Sequence, residues 1–182
     1  MRRNNQNLQY YSALGFYKEG KRLAQQFDKK IGNENLEFVS VSTVCYSFSA
    51  ELLLKLLIHM VTNQTINNEH KLEELFNKLP GEFKLKIENS YQEKSKIKND
   101  NLRPIKFSFN SFSGNEEDSK DINNITQLSV MDLLRIHNES FVKWRYLYEI
   151  KKDEYYSFEY NFKLMDDFVN AVLDVIKESI VK

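Results

Sequence analysis

The chain has 182 residues, with 26 basic and 26 acidic side chains and no formal net charge, which excludes a uniformly cationic nucleic-acid coat but not a local basic face. With 41% hydrophobic and 13% aromatic residues, it can bury a core, so global disorder is excluded and residues 1–182 read as one domain. Only 5 Gly and 2 Pro argue against a turn-rich all-β sandwich.

The first predicted element is a helix over about 7–30, where Phe16, Leu23, Phe27 and Ile31 recur near helical spacing. Gly32-Asn33 supplies a stop. A long apolar helix follows over about 35–62, striped by Phe38, Val41, Cys45, Phe48, Leu52 and Leu56. Glu51 and Lys55 stand at i,i+4, in the order that stabilises a helix. Asn67-Asn68 read as caps for a short helix over 69–79, ended by Pro80-Gly81. A fourth helix is expected over 82–98, with a thin apolar seam of Phe83, Ile87 and Tyr91.

Residues 99–127 lack a helical period and read as a long irregular loop inserted in the domain. Within it, residues 106–112 alternate like a strand that has no evident partner. One helix is then expected over 128–149 and another over 157–181. The expected architecture is all-α: an antiparallel bundle of four to six helices with one long irregular loop.

A single cysteine, Cys45, forms no internal disulfide, and its apolar surroundings suggest a packed thiol. The basic N-terminus leads into no apolar run of the kind a signal peptide needs. The most apolar stretch, Leu52–Val61, is interrupted by Lys55 and His59 and falls short of the roughly 20 residues that span a bilayer. A cytoplasmic protein with no membrane partner is expected. No phosphate-binding glycine loop, metalloprotease motif or nucleophile elbow is present. His59, His70 and His137 are far apart in sequence, so neither a metal site nor a cofactor is expected.

The densest polar and aromatic segment is 133–149. On one continuous helix, His137, Phe141, Trp144 and Tyr148 share a face, and Leu134, Asn138, Phe141, Arg145 and Tyr148 make an adjoining stripe. Two readings stand. In one, Arg145 pairs with Glu149 or with Glu51 and fixes helix register. In the other, Arg145 holds a phosphate and His137 moves protons or orients a ligand, chemistry that suits a metal-independent ribonuclease. Tyr10, Tyr11, Tyr17, Tyr155 and Tyr156 are open to either packing or base stacking.

Three segments together carry a family resemblance. They are Ser49–Leu57 with an E-x3-K pattern at Glu51 and Lys55, His70–Leu79 with H-x-L-x2-L, and the F-x2-WRY-x-YE run of Phe141–Glu149. In this combination and order the chain resembles the HEPN superfamily of prokaryotic defence, toxin–antitoxin and RNA-processing systems. The resemblance implies a helical bundle, a homodimer, and binding of RNA or nucleotide or of a partner protein. It implies metal-independent RNA cleavage in many members, through an R-x4-6-H motif. None of the six arginines here is followed by histidine at that spacing, so the motif is absent. Glu51, Lys55, His70, His137, Asn138, Arg145, Tyr146 and Glu149 are the candidate site residues, with His137 and Arg145 the candidates for catalysis. A dimeric interaction module with no ligand is the remaining alternative.

The neutral total hides a separation of charge. Residues 1–30 carry seven basic against two acidic side chains, whereas residues 153–178 carry two basic against seven acidic ones. The two end segments are therefore expected to attract one another.

Overall fold

A computed structural model describes residues 2–26, 36–99, 101–109, 128–145 and 156–180. Seven helices and a two-stranded sheet occupy the described residues, so the chain is an all-α bundle with a minor β element. Helix α1 (Arg2–Ala24) and helix α2 (Leu36–Thr62) form its longest packed pair. They run antiparallel: Gly20 lies against Ser42 and Cys45, Ala13 is bonded to Ser49, and Gln9 to Leu52. Small residues permit the close approach. A Cβ on Gly20 would stand 3.1 Å from the Cys45 Cβ. Ser42 and Ser49 donate their hydroxyls to the Gly20 and Ala13 carbonyls at 2.7 and 2.8 Å. These bonds satisfy polar groups that burial would otherwise penalise.

Helix α2 is long and apolar enough to cross a membrane by length and composition, yet most of its apolar window is buried inside the bundle. Tyr46, Leu53, Leu54, Leu57 and Ile58 are fully covered. Against them pack helix α3 (Leu72–Asn77) and helix α7 (Phe162–Ile180), and helix α4 (Gly81–Ser95) packs on α7. Fully burying one such leucine or phenylalanine is worth about 1.5–3 kcal/mol. The expected seam of α4 is present: Ile87 and Tyr91 are buried, and Phe83 is partly so.

Strand β1 (Pro104–Phe109) pairs antiparallel with strand β2 (Tyr156–Asn161), placing Pro104 opposite Asn161 and Phe107 opposite Phe158. This supplies the partner that the alternating segment lacked and corrects the expected start of the last helix at residue 157. Asn161 makes the switch from strand to helix. Its Oδ1 accepts the Leu164 N–H at 3.0 Å, satisfying one of the donors left open in the first turn of α7.

Three further expectations are corrected. The single helix over 128–149 is broken into α5 (Val130–His137) and α6 (Ser140–Lys143) by a turn at Asn138-Glu139. Asn67-Asn68 do not cap α3, whose N-cap position is Lys71 with no side-chain bond. Pro80-Gly81 does not end α3, which stops at Asn77 with Lys78 as its C-cap, but begins α4, the Pro80 carbonyl accepting from Phe83 and Lys84. The Gly32-Asn33 stop lies outside the described residues.

The expected attraction between the chain ends takes a specific form: Lys21 of α1 meets Asp166 of α7 at 3.0 Å.

Candidate functional site: a polar cleft beside Glu51, Lys55 and His70

Three of the candidate residues converge at one end of the α1–α2 pair. Thr62 closes α2 by donating its hydroxyl to the Ile58 carbonyl at 2.7 Å, and Asn63 then takes a φ of 60°. That left-handed conformation suits asparagine better than most side chains and turns the chain back along the helix. Further along the returning segment, the Glu69 carboxylate accepts the backbone N–H groups of His70 and Lys71, both at 3.0 Å. His70 thereby comes to Glu51. One carboxylate oxygen, Glu51 Oε1, accepts from Lys55 Nζ at 2.9 Å and lies 3.0 Å from His70 Nδ1.

The three side chains differ sharply in exposure. Glu51 is 3% exposed and Lys55 12%, whereas His70 is 59% exposed. A buried carboxylate of this kind is held by its cation, and removing one partner from such a pair costs about 3–5 kcal/mol. The second oxygen, Glu51 Oε2, is buried without a hydrogen-bond partner.

Lys55 also lines a cleft of about 390 Å³, together with Asn5, Gln6 and Gln9 of α1, His59 of α2, and Thr65, Ile66 and Asn67 of the returning segment. This wall combines one ammonium, one imidazole, four carboxamides and a hydroxyl, with no carboxylate. Gln9 is anchored by its bond to the Leu52 carbonyl at 2.9 Å. His59 Nδ1 lies 3.3 Å from the Gln64 carbonyl and 3.4 Å from the Thr65 hydroxyl. Such a set of donors suits an oxyanion.

The α5–α6 candidates are placed otherwise. His137 is 2% exposed and packs on Tyr160 with ring centroids 4.5 Å apart. Its Nε2 accepts the Asn161 N–H at 3.3 Å, so the neutral ring carries its proton on Nδ1, which is buried without a partner. Burial alone pushes its pKa down to about 3. The expectation that His137 moves protons for a substrate is thus corrected by its burial: the neutral ring is a core residue. Asn138 reaches α3, where it bonds the Glu73 backbone and side chain. Arg145 is exposed at the end of α6, with Nε donating to the Phe141 carbonyl at 3.1 Å and its guanidinium 4.1 Å from the Phe141 ring centre. Tyr146 and Glu149 lie outside the described residues, and with them the expected Arg145–Glu149 pair.

Sequence reasoning missed a second polar centre. Asp166 of α7 is buried, yet its oxygens accept from the Tyr17 hydroxyl at 2.7 Å, Tyr46 at 3.0 Å, Lys21 at 3.0 Å and Asn170 at 3.2 Å. Burial, reinforced by this carboxylate, raises the pKa of both phenols above the ordinary range. Tyr17 is therefore a packed hydrogen-bond donor and not a stacking platform. The pairs Tyr17–Lys21 and Asp166–Asn170 are each spaced i,i+4, the only signal the sequence carried. Every oxygen of Asp166 is satisfied, which marks this cluster as a structural tie among α1, α2 and α7. Among the described residues, no three His, Cys, Asp or Glu side chains are grouped as metal ligands.

The fold and cleft define a helical bundle with a recess lined mainly by carboxamide, ammonium and imidazole side chains at one end of its longest helix pair. No protein-family model, curated protein or solved structure matches the chain.

Proposed function

We propose that the chain is a HEPN-like protein of a prokaryotic defence or toxin–antitoxin system, and that the cleft beside Lys55 binds the phosphate of an RNA or nucleotide. The observation that carries this reading is the Lys55 ammonium, held by the buried Glu51 and set in a cleft wall with four carboxamide side chains. A phosphate entering there exchanges water for charge-assisted hydrogen bonds. The test is titration of the full chain with labelled RNA and with AMP. Asn67→Asp places an acid in the wall without touching the core, and it is expected to weaken binding at least tenfold at low salt. Lys55→Met, paired with Glu51→Gln to avoid an uncompensated buried charge, is expected to abolish it. Binding unchanged in both variants sinks the proposal, and no binding by the wild type favours an interaction module with no ligand.

A second reading, a metal-independent endoribonuclease, is favoured by His70 and not by His137. The exposed His70 ring has one nitrogen held by Glu51, an orientation suited to acid–base chemistry through the other. Incubation with mixed RNA in EDTA tests it: cleavage must occur, vanish in His70→Ala and survive in His137→Gln. The homodimer and a partner protein come with the resemblance and are proposed on it; a cytoplasmic location is proposed on the single cysteine and the charge-interrupted apolar stretch. Light scattering of the purified chain tests the dimer.

A further inference from the structure

The cleft is one end of a longer surface. On α1, Asn5 and Gln9 of the cleft wall stand at i and i+4 of a helical row whose i+11 member is Phe16. On α2, Lys55 and His59 of the wall belong to a row that begins with Phe48 at i, with Lys55 at i+7 and His59 at i+11. The two antiparallel helices therefore carry polar groups at one end of their shared seam and phenylalanines towards the other. At 1.5 Å per residue, the separation from Phe48 to Lys55 is about 10 Å and the whole seam about 16 Å.

The aromatic end is ordered by contacts. Phe16 meets Phe48 edge-on, with centroids 4.7 Å apart and planes at 76°. Phe48 stacks on Phe141 of α6 at 5.1 Å and 20°, and the Arg145 guanidinium lies 4.1 Å from the Phe141 ring centre. Three rings and a guanidinium thus form a ladder across α1, α2 and α6. Phe16 remains 38% exposed while braced from behind. A surface aromatic held in this way loses little freedom when a flat partner settles on it.

Resting on the reading of the cleft as a phosphate site, we infer that the seam binds an extended single strand of RNA, with a phosphate at Lys55 and an unpaired base on Phe16. The chemistry matches at both ends. The cleft wall offers amide donors and the Lys55 ammonium, whose Glu51 partner is itself buried. The far end offers an exposed aromatic ring, a surface on which splayed bases stack. The spacing matters as well. Phe48, which braces Phe16, stands about 10 Å along α2 from Lys55, so ring and phosphate site are placed to serve different nucleotides of one strand. A duplex keeps its bases stacked inside and has none to give.

The experiment compares an unstructured oligouridylate of about 12 nucleotides, its duplex with oligoadenylate, and AMP, each titrated against the full-length protein by fluorescence anisotropy or calorimetry. The single strand is expected to bind more tightly than either competitor. Phe16→Leu keeps apolar packing against Phe48 and removes the planar ring. It is expected to weaken the single strand about tenfold and leave AMP unchanged, while Phe16→Trp restores or tightens strand binding. Asn67→Asp is expected to weaken both ligands. If Phe16→Leu binds the strand as the wild type does, or if the duplex binds equally well, the seam inference is overturned and the phosphate site stands. If neither AMP nor the strand binds, or Asn67→Asp affects neither, the phosphate site falls too. A loss of AMP binding in Phe16→Leu overturns the spacing argument, because ring and phosphate site would then serve one nucleotide.

Discussion

The side-chain amide of Asn138, at the end of α5, caps the start of α3 from across the fold. Its Oδ1 accepts the Glu73 N–H at 2.8 Å while its Nδ2 donates to Glu73 Oε2 at 3.0 Å. A helix of six residues with no cap of its own is thereby closed by another element. Arg135 adds a bond from its Nη2 to Glu73 Oε1 at 3.1 Å. Asn138→Ala is expected to lower stability by about 1–2 kcal/mol, the usual cost of a lost cap. Urea denaturation monitored by circular dichroism measures it, and a change below about 0.3 kcal/mol contradicts the capping role.

His137 predicts an acid response. The folded ring stays neutral down to about pH 3, whereas in the unfolded chain histidine titrates near 6.5. The unfolded state therefore takes up the proton first, so stability contributed here is complete above about pH 6.5 and falls as pH drops towards 3. At pH 5 the loss amounts to about 2 kcal/mol. His137→Gln keeps an acceptor for the Asn161 N–H and is expected to flatten that part of the curve. Denaturation midpoints of both proteins at pH 7.5 and 5 settle the matter, and parallel curves refute it.

Asp166 gathers two phenols, an ammonium and a carboxamide from three helices. Removing the carboxylate in Asp166→Ala leaves these donors unpaired in a buried place, at an expected cost of about 3–5 kcal/mol. Tyr46→Phe deletes one bond and leaves the others, so about 1.5–3 kcal/mol is expected. Thermal unfolding ranks them, and equal effects would show that the carboxylate is not the hub.

Two glycines of α1 predict opposite signs. A Cβ at Gly15 meets nothing within 4 Å, so Gly15→Ala is expected to stabilise by about 0.5–1 kcal/mol through helix propensity. At Gly20 the space is taken by Cys45, Tyr46 and the Ser42 carbonyl. Gly20→Val is expected to push α1 off α2 and cost about 1–3 kcal/mol. Melting temperatures moving the same way in both variants would contradict this packing.

How much was legible in advance varies residue by residue. The long helices follow from periodicity, a local property: Leu53, Leu57 and Phe168 lie buried because their spacing puts them on one face. Glu51 and Lys55 were recognisable as an i,i+4 pair, and their bond forms at 2.9 Å. His70 joined them only through the resemblance, since nothing in its spacing states that the chain turns back after Asn63. The cleft and the aromatic seam were not legible, because their walls come from two helices and a returning segment.

The sequence by itself determined the helical class, the central place of the apolar helix α2 and the polarity of the two chain ends. Each of these depends on side-chain character summed over neighbours in the chain. Only the tertiary structure decided that residues 156–161 form a strand and that the aromatic run breaks at Asn138. It also decided that His137 is sealed in the core and that Asp166 ties three helices together. Strand pairing joins segments about fifty residues apart, and the break at Asn138 places its amide on Glu73, 65 residues earlier in the chain. Non-local hydrogen bonds such as these outweigh a local helical preference worth only tenths of a kilocalorie per residue.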